Sequence, residues 1–471
     1  MQPAQAKQTA VPQPGFARAL SMRDGVAIVV GTVIGSGIFL VPGAIAMQLN
    51  SLWMVLLVWV VGGILSLFGA LSLAELAAAW PGAGGLYVYL RQAYGRPIGF
   101  LYGWALLTMI QTGTIATLAA AFSLYLGKLL ALTPLWAKFS GVACIAVLTL
   151  INILGVRSGK LVQNTIAICK VGGIALMVLL LFWRGHLSQL QSSLTAPFAG
   201  MTGTTTGTMT GSMTGTSPLL VSLGVALIAV LWAYEGWHMV SFTAAEFSNP
   251  MRDLPRSLLI GTSAIALIYL VCNLAYYAVL STSALQATDR AAATAVSAAY
   301  GTGAIVAISL LILVSILGAT NGAVLTGPRV YYAMGKDGVF LPQLAKLHPR
   351  FRTPVLALAV QGVWASVLTL LGNFQQLFTY VIFTAWIFYA LTVAAVIVLR
   401  VKNPNVPRPY RVPFYPWLPL AFIAAAIGIT LSTIMANPRN AAIGVGLILV
   451  GLPVYFIFSK LLSNRNESHS A

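Results

Sequence analysis

The sequence has little charge. Of 471 residues, only 7% are Asp, Glu, Lys or Arg, while 59% are hydrophobic. That balance excludes a soluble domain of this length. It also lacks the alternating segments of ~10 residues that a membrane β-barrel would show. Instead, apolar runs of roughly 18 residues or more recur from end to end, each long enough for a membrane-spanning helix. Cysteine is scarce. Cys144, Cys169 and Cys272 all sit in apolar runs with no disulfide or metal spacing, and are expected as small buried side chains. Histidine is scarce too, and His186, His238, His348 and His469 show no metal-ligand spacing. No nucleophile–base pair stands out. An enzyme, a metal site and a cofactor are therefore not expected. The first 20 residues hold one Lys, one Arg and no apolar core, so no signal peptide is expected.

What is present is a polytopic, all-α pattern of about twelve spans. They fall near 25–47, 52–79, 97–126, 138–155, 161–183, 218–245, 256–281, 303–333, 354–372, 375–400, 414–436 and 440–462. The prolines of KNPNVPRPYRVPFYP prevent the tenth and eleventh from forming one helix. An even number of spans puts both termini on one side. That side receives 20 of the 26 basic residues and the opposite side 5, with Lys170 inside a span. This asymmetry predicts cytoplasmic termini in a plasma (inner) membrane. It also accounts for the net charge of +18 by topology and lipid contact, so no nucleic-acid partner is expected. The chain then divides into a tail (1–23), spans one to five (24–183), a Gly/Thr/Met-rich stretch read as a flexible external loop (184–217), spans six to ten (218–400), two further helices (401–462) and a second tail (463–471).

Two spans are interrupted. The first, GVAIVVGTVIGSGIFLVPGAIAM, contains Gly31, Gly35, Ser36, Gly37 and Pro42. Glycine and proline are the poorest helix residues, by roughly 1 and 3 kcal/mol relative to alanine. Backbone groups freed in a membrane can face only protein or a water-filled cavity. The sixth carries Trp232-Ala233-Tyr234-Glu235-Gly236-Trp237 at mid-span, where an ionisable group is a functional suspect. Five spans separate the two breaks, so a second set of five would run inverted to the first, and paired broken helices point to a transporter's site. A broken helix offers positive N–H groups at one end and negative carbonyls at the other. The N–H groups of Gly35, Ser36 and Gly37 suit a carboxylate. Carbonyls of Val33, Trp232, Ala233 and Glu235 suit an ammonium. A solute with both groups is an α-amino acid.

Four segments resemble the L-type amino acid transporter family of the amino acid–polyamine–organocation superfamily: GTVIGSGIFLVPG at 31–43, AELAAAWPGAGGLYVYLRQAYGRPIGFLYGW at 74–104, LWAYEGWHMVSFTAAEFSNPMRDLPRSLLIG at 231–261 and GATNGAVLTGPRVYYAMGKDGVFLPQLAKLHPRFRTP at 318–354. The resemblance implies a five-plus-five inverted repeat with two additional helices, alternating access, and an amino acid held between spans one and six by the groups just named. It implies that Trp232 closes over the substrate, at a place where Phe is usual, so that a bulkier gate narrows the pocket. It also implies that the Lys170 ammonium takes the place of a sodium ion and ties spans one, five and eight together, hence sodium independence. Animal members that pair with a glycoprotein use a cysteine between spans three and four. The loop at 127–137 has none, so no disulfide-linked heavy chain is expected and the chain would work as a monomer.

The function read from this is a sodium-independent antiporter or uniporter of neutral L-amino acids, with cationic ones admitted if Glu235 pairs with them. A proton-coupled symporter and a non-transporting sensor stand as alternatives. Glu235 stays open among a hydrogen-bonded structural role, a counter-charge for cationic substrates, and a proton carrier. Asn321 and Gly322 are cavity candidates, as is His238. Tyr380 and Trp386 are candidates for an outer gate. Glu75 is expected to pair with an Arg, and Glu246, Arg252, Asp253 and Arg256 form a charged loop, read as a latch or a solvated turn.

Overall fold

The structure is a computed structural model that describes residues 16–195, 218–372, 374–436 and 438–467. It is nearly all-helical; among the described residues the one β-bridge joins Leu20 to Phe247. Among the described residues, ten helices are long and apolar enough to cross a membrane, and one bent pair, Met22–Val33 with Gly37–Gln48, supplies another span. Val355–Leu371, a shorter apolar helix of 17 residues, takes the place of the expected ninth.

Span 1 starts at a capping box: Ser21 and Asp24 each satisfy the other's backbone N–H. It stops at Val33, where Ile34 turns extended, and resumes at Gly37 bent by 44°. Pro42 lies inside the second half. Having no N–H, it cannot bond the Ile38 carbonyl one turn back. The Tyr276 hydroxyl of span 7 donates to that carbonyl instead, at 3.3 Å, which is how a membrane helix tolerates proline.

Span 6 breaks later than the sequence suggests. The helix Pro218–Ala233 includes Trp232 and Ala233 in its last turn, and the break is Tyr234-Glu235-Gly236. Gly236 adopts φ 114°, a left-handed conformation open to glycine, against the backbone of Thr32. The chain continues as a 3₁₀ helix, Trp237–Glu246. Runs of 3₁₀ beyond 3–4 residues are uncommon and mark strain or function.

The other spans are Leu52–Ala79 (2), Arg96–Leu129 (3), Pro134–Ile153 (4), Val156–Arg184 (5), Pro250–Val279 (7), Thr302–Lys336 (8), Phe374–Lys402 (10), Trp417–Ala436 (11) and Pro438–Glu467 (12). Span 1 packs on 6, 2 on 7, 3 on 8 and 4 on 9. That pairing is what two inverted five-span units produce. Spans 11 and 12 lie against span 10 at the periphery. Burial follows the same division: 78% of the most apolar stretch of span 3 is enclosed, against 22% for span 12.

Two expectations are corrected. The external loop does not begin at residue 184: Leu187–Thr195 is a helix whose Leu190 and Leu194 pack on the core, and Trp53 Nε1 donates to the Leu194 carbonyl at 2.8 Å. Its i, i+4 leucine spacing explains the docking. The Gly/Thr-rich remainder at 196–217 lies outside the described residues, as does the Tyr380 side chain. Cys144 and Cys272 are buried, but Cys169 is exposed on the outer face of span 5.

Candidate functional site

The two breaks meet. A Cβ at Gly37 would lie 2.8 Å from Ala233 Cα, so only a glycine lets the halves of spans 1 and 6 approach this closely. Between them lies a small cavity lined by Val33, Gly35, Ser36 and Gly37 of span 1 and by Trp232, Ala233 and Glu235 of span 6. Every residue expected at the two ends of a bound amino acid therefore lines one space.

The donors differ in detail from the expectation. Gly35 N–H bonds the Val33 carbonyl at 2.8 Å, which turns it away from the cavity. Gly37 opens a helix, so the first-turn N–H groups have no carbonyl one turn back within it. Ser36 Oγ is buried, lines the cavity and has no hydrogen-bond partner among protein atoms. Ser36 and Gly37 thus form the donor end.

At the acceptor end, sequence reading missed Tyr269 of span 7. Its hydroxyl reaches the carbonyls of both Ala233, at 2.8 Å, and Val33, at 3.2 Å, so one side chain bridges the two breaks. The one hydroxyl proton serves the nearer of the two, Ala233, while the Val33 carbonyl accepts Gly35 N–H at 2.8 Å and the Trp232 carbonyl accepts Glu235 N–H at 3.0 Å. Trp232 and Ala233, at the end of their helix, supply the carbonyls of this end.

Thr114 and Leu118 of span 3, with Met239, Ala319 and Ala323, complete the wall. Sequence gave no signal for span 3, because its register is set by a π-helical turn at Leu106–Ile110 just before Thr114. Ala319 and Ala323 are one turn apart, and Asn321, two residues from each, points the other way. Asn321 is therefore not in the cavity wall. It binds Asn152 and Gln163, at 2.8 Å each, in a buried amide network joining spans 4, 5 and 8. Gly322 packs against Thr32 and Gln163.

Behind the first break, Lys170 is fully buried and its Nζ donates to the carbonyls of Gly31 (2.9 Å), Ile34 (2.6 Å) and Ser315 (2.9 Å). The ammonium sits where a helix end leaves carbonyls bare, and it joins spans 1, 5 and 8.

A family profile described as amino acid permease matches residues 20–458. The chain belongs to the amino acid permease family. Among curated relatives of this permease, the Serine/threonine exchanger SteT of Bacillus subtilis is 33% identical over 95% of this chain and 98% of its own length. The human b(0,+)-type amino acid transporter 1 is 29% identical over 93% of this chain and 87% of its own. The human cystine/glutamate transporter is 27% identical over 94% and 85%. The resemblance to L-type amino acid transporters, and the nearly all-helical membrane architecture that goes with it, thus hold for the permease over almost its whole length.

The permease's acidic side chains sort by place. Glu235 lies in the cavity wall and accepts a short hydrogen bond from the Tyr389 hydroxyl of span 10. Glu75 binds Arg400 through two bonds, at 2.8 and 2.6 Å, and accepts Val412 N–H at 2.7 Å. Glu246 does not stay in a loop with Arg252, Asp253 and Arg256: it is buried against Arg329 Nε of span 8 at 2.7 Å. Trp386 of span 10 stacks on Phe422 of span 11 rather than lining the cavity. Among the described residues, no cluster of His, Cys, Asp and Glu can hold a metal.

Proposed function

We propose that this permease exchanges amino acids across a plasma (inner) membrane by alternating access, without sodium, working as a monomer with both termini in the cytoplasm. The observation that carries the reading is the facing of two unlike helix ends across one cavity. Helix-start donors at Ser36 and Gly37 lie opposite helix-end carbonyls at Trp232 and Ala233, the complement of a zwitterion. The three carbonyls that would hold a cation are already filled by Lys170 Nζ, which supports sodium independence. Exchange is the activity in the name of the Bacillus subtilis relative. The absence of a cysteine at 127–137 supports a transporter without a disulfide-linked heavy chain.

Neutral amino acids are the first substrates to test. A second reading, that cationic ones are admitted, is favoured by Glu235, the one ionisable residue in the described cavity wall. The experiment is trans-stimulation in liposomes across the common amino acids. Uptake of a labelled substrate should rise when unlabelled amino acid is loaded inside, and should persist with sodium replaced by choline. No stimulation by any amino acid would overturn the exchange reading. Loss of uptake in choline would overturn sodium independence. Uptake that instead follows an imposed pH gradient would favour proton coupling.

A further inference from the structure

The carboxylate in the cavity wall is not free. Tyr389 lies one layer behind it in span 10, 1% exposed, and its hydroxyl donates to Glu235 Oε1. His238, one turn along span 6 and fully buried, sits against both: its Nε2 is 3.4 Å from the Tyr389 hydroxyl and its Nδ1 is 3.7 Å from Glu235 Oε1. The Tyr389 ring is fixed among His238, Trp237 and Trp386, with centroids at 4.8, 5.8 and 6.0 Å. It does not itself line the cavity.

Resting on the transport reading above, we propose that Tyr389 is a specificity-determining positioning residue. Its hydroxyl holds the Glu235 carboxylate back against span 10, so that the site serves neutral side chains and disfavours cationic ones.

The reasoning is differential binding. A buried carboxylate needs donors, and a hydroxyl-to-carboxylate bond is among the stronger neutral-donor bonds a protein makes. With Tyr389 supplying one to Oε1, Glu235 asks less of the substrate, and a neutral side chain binds beside it with that donor kept. A cationic side chain would have to draw the carboxylate forward and give up that bond. Without the hydroxyl the balance reverses: Glu235 is short of a donor, an ammonium or guanidinium on the substrate relieves it, and a neutral side chain cannot.

The test uses the full-length protein in liposomes, exchanging labelled serine, with unlabelled serine and unlabelled lysine as competitors. The readout is the ratio of their half-inhibitory concentrations, lysine over serine. Wild type should show a high ratio. Tyr389→Phe should lower it tenfold or more, and Tyr389→Phe with Glu235→Gln should restore it, because the gain runs through the carboxylate. General damage to the fold would weaken both competitors and leave the ratio in place. Glu235→Asp, whose shorter side chain withdraws from Tyr389, should lower the ratio as Tyr389→Phe does, and decides the matter if the latter does not fold. An unchanged ratio in both single variants, a gain that survives Glu235→Gln, or a wild-type ratio already near one would overturn the proposal while leaving transport intact. Wild-type protein that exchanges no amino acid would instead remove the transport reading on which it rests.

Discussion

Two glycines just past the first helix end, two and four residues beyond Val33, show how a single Cβ is felt. At Gly35 an added Cβ would meet Leu118 Cδ2 at 3.2 Å and Ala319 Cβ at 3.4 Å, and the end of a leucine side chain can give way. At Gly37 the neighbours are Ala233 Cα at 2.8 Å and Cβ at 2.9 Å, which are backbone and its first carbon and cannot. Gly35→Ala is therefore expected to keep uptake with a several-fold weaker half-saturation, whereas Gly37→Ala should abolish uptake, with the spans pushed apart at a cost of about 1–3 kcal/mol. Initial uptake rates in liposomes, alongside thermal unfolding of the purified protein, separate the two. Equal losses at both positions would show that the contact with Ala233 is not what matters. Ser36 adds a chemical case beside these steric ones. Its hydroxyl has no protein partner, so Ser36→Ala should leave stability unchanged within about 0.5 kcal/mol while raising the half-saturation concentration, as removal of a substrate-facing donor would.

At the scale of the element, both broken spans depend on side chains that arrive from elsewhere. Lys170 satisfies three carbonyls of spans 1 and 8. In Lys170→Met the Gly31 carbonyl loses its donor and the Ile34 carbonyl keeps only the Ser315 hydroxyl, at about 1–3 kcal/mol for an acceptor left buried and unpaired. The expected result is a markedly lower unfolding temperature and loss of uptake, and a variant that transports normally would contradict the assignment. Span 8, interrupted at Gly327 between the helices Ile305–Thr326 and Pro328–Lys336, is built likewise. Pro328 denies a donor to the Val324 carbonyl, which receives Gln361 Nε2 at 3.3 Å, while Gln111 Nε2 binds the neighbouring Ala323 carbonyl at 2.7 Å. This division explains what the sequence makes legible. Spans, their order, the two breaks and the residues of the cavity's two polar ends are readable because glycine, proline and a carboxylate are conspicuous in apolar runs. The supports are not, because Tyr269, Gln111, Gln361 and Tyr389 lie 36 residues or more from the backbone or side-chain groups they satisfy and look like ordinary span residues. Asn321 was conspicuous for the same reason as Glu235, yet the helical turn points it at span 5. Polarity marks a residue as constrained, and the rotation of the helix decides which neighbour constrains it.

The whole molecule is fastened unequally at its two ends. At the end where span 1 starts, ion pairs join separate parts of the fold. Asp24 of span 1 meets Lys160 of span 5 at 2.9 Å, Glu75 of span 2 meets Arg400 of span 10 at 2.6 Å, and Glu246 of span 6 meets Arg329 of span 8 at 2.7 Å. Asp337 binds Arg91 of the helix Leu86–Tyr94 there as well. The segment just before span 1 is threaded into the same closure: Ala19 and Leu20 N–H both bond the Glu246 carbonyl at 2.9 Å, and Ser248 N–H bonds the Leu20 carbonyl at 3.0 Å. At the opposite end, the one ion pair among the described residues joins the sequence neighbours Asp289 and Arg290 and spans no gap. Partly exposed pairs contribute little, about 0–1 kcal/mol each. The Glu246–Arg329 pair differs because both partners are buried, and removing one of a buried pair costs roughly 3–5 kcal/mol. That penalty falls on the state in which spans 6 and 8 are closed together. Once they part, water solvates the remaining charge. Arg329→Met should therefore shift the population toward opening at this end rather than simply unfold the protein. The measurement is labelling of Ala323→Cys, in the cavity wall, by a membrane-impermeant thiol reagent applied from the side where span 1 starts, in a Cys169→Ser background that removes the exposed native thiol. A shift of 3 kcal/mol corresponds to roughly a hundredfold change in the open-to-closed ratio, so labelling should accelerate by at least tenfold. Labelling that is no faster than in the parent would mean that the closure at this end does not rest on Arg329.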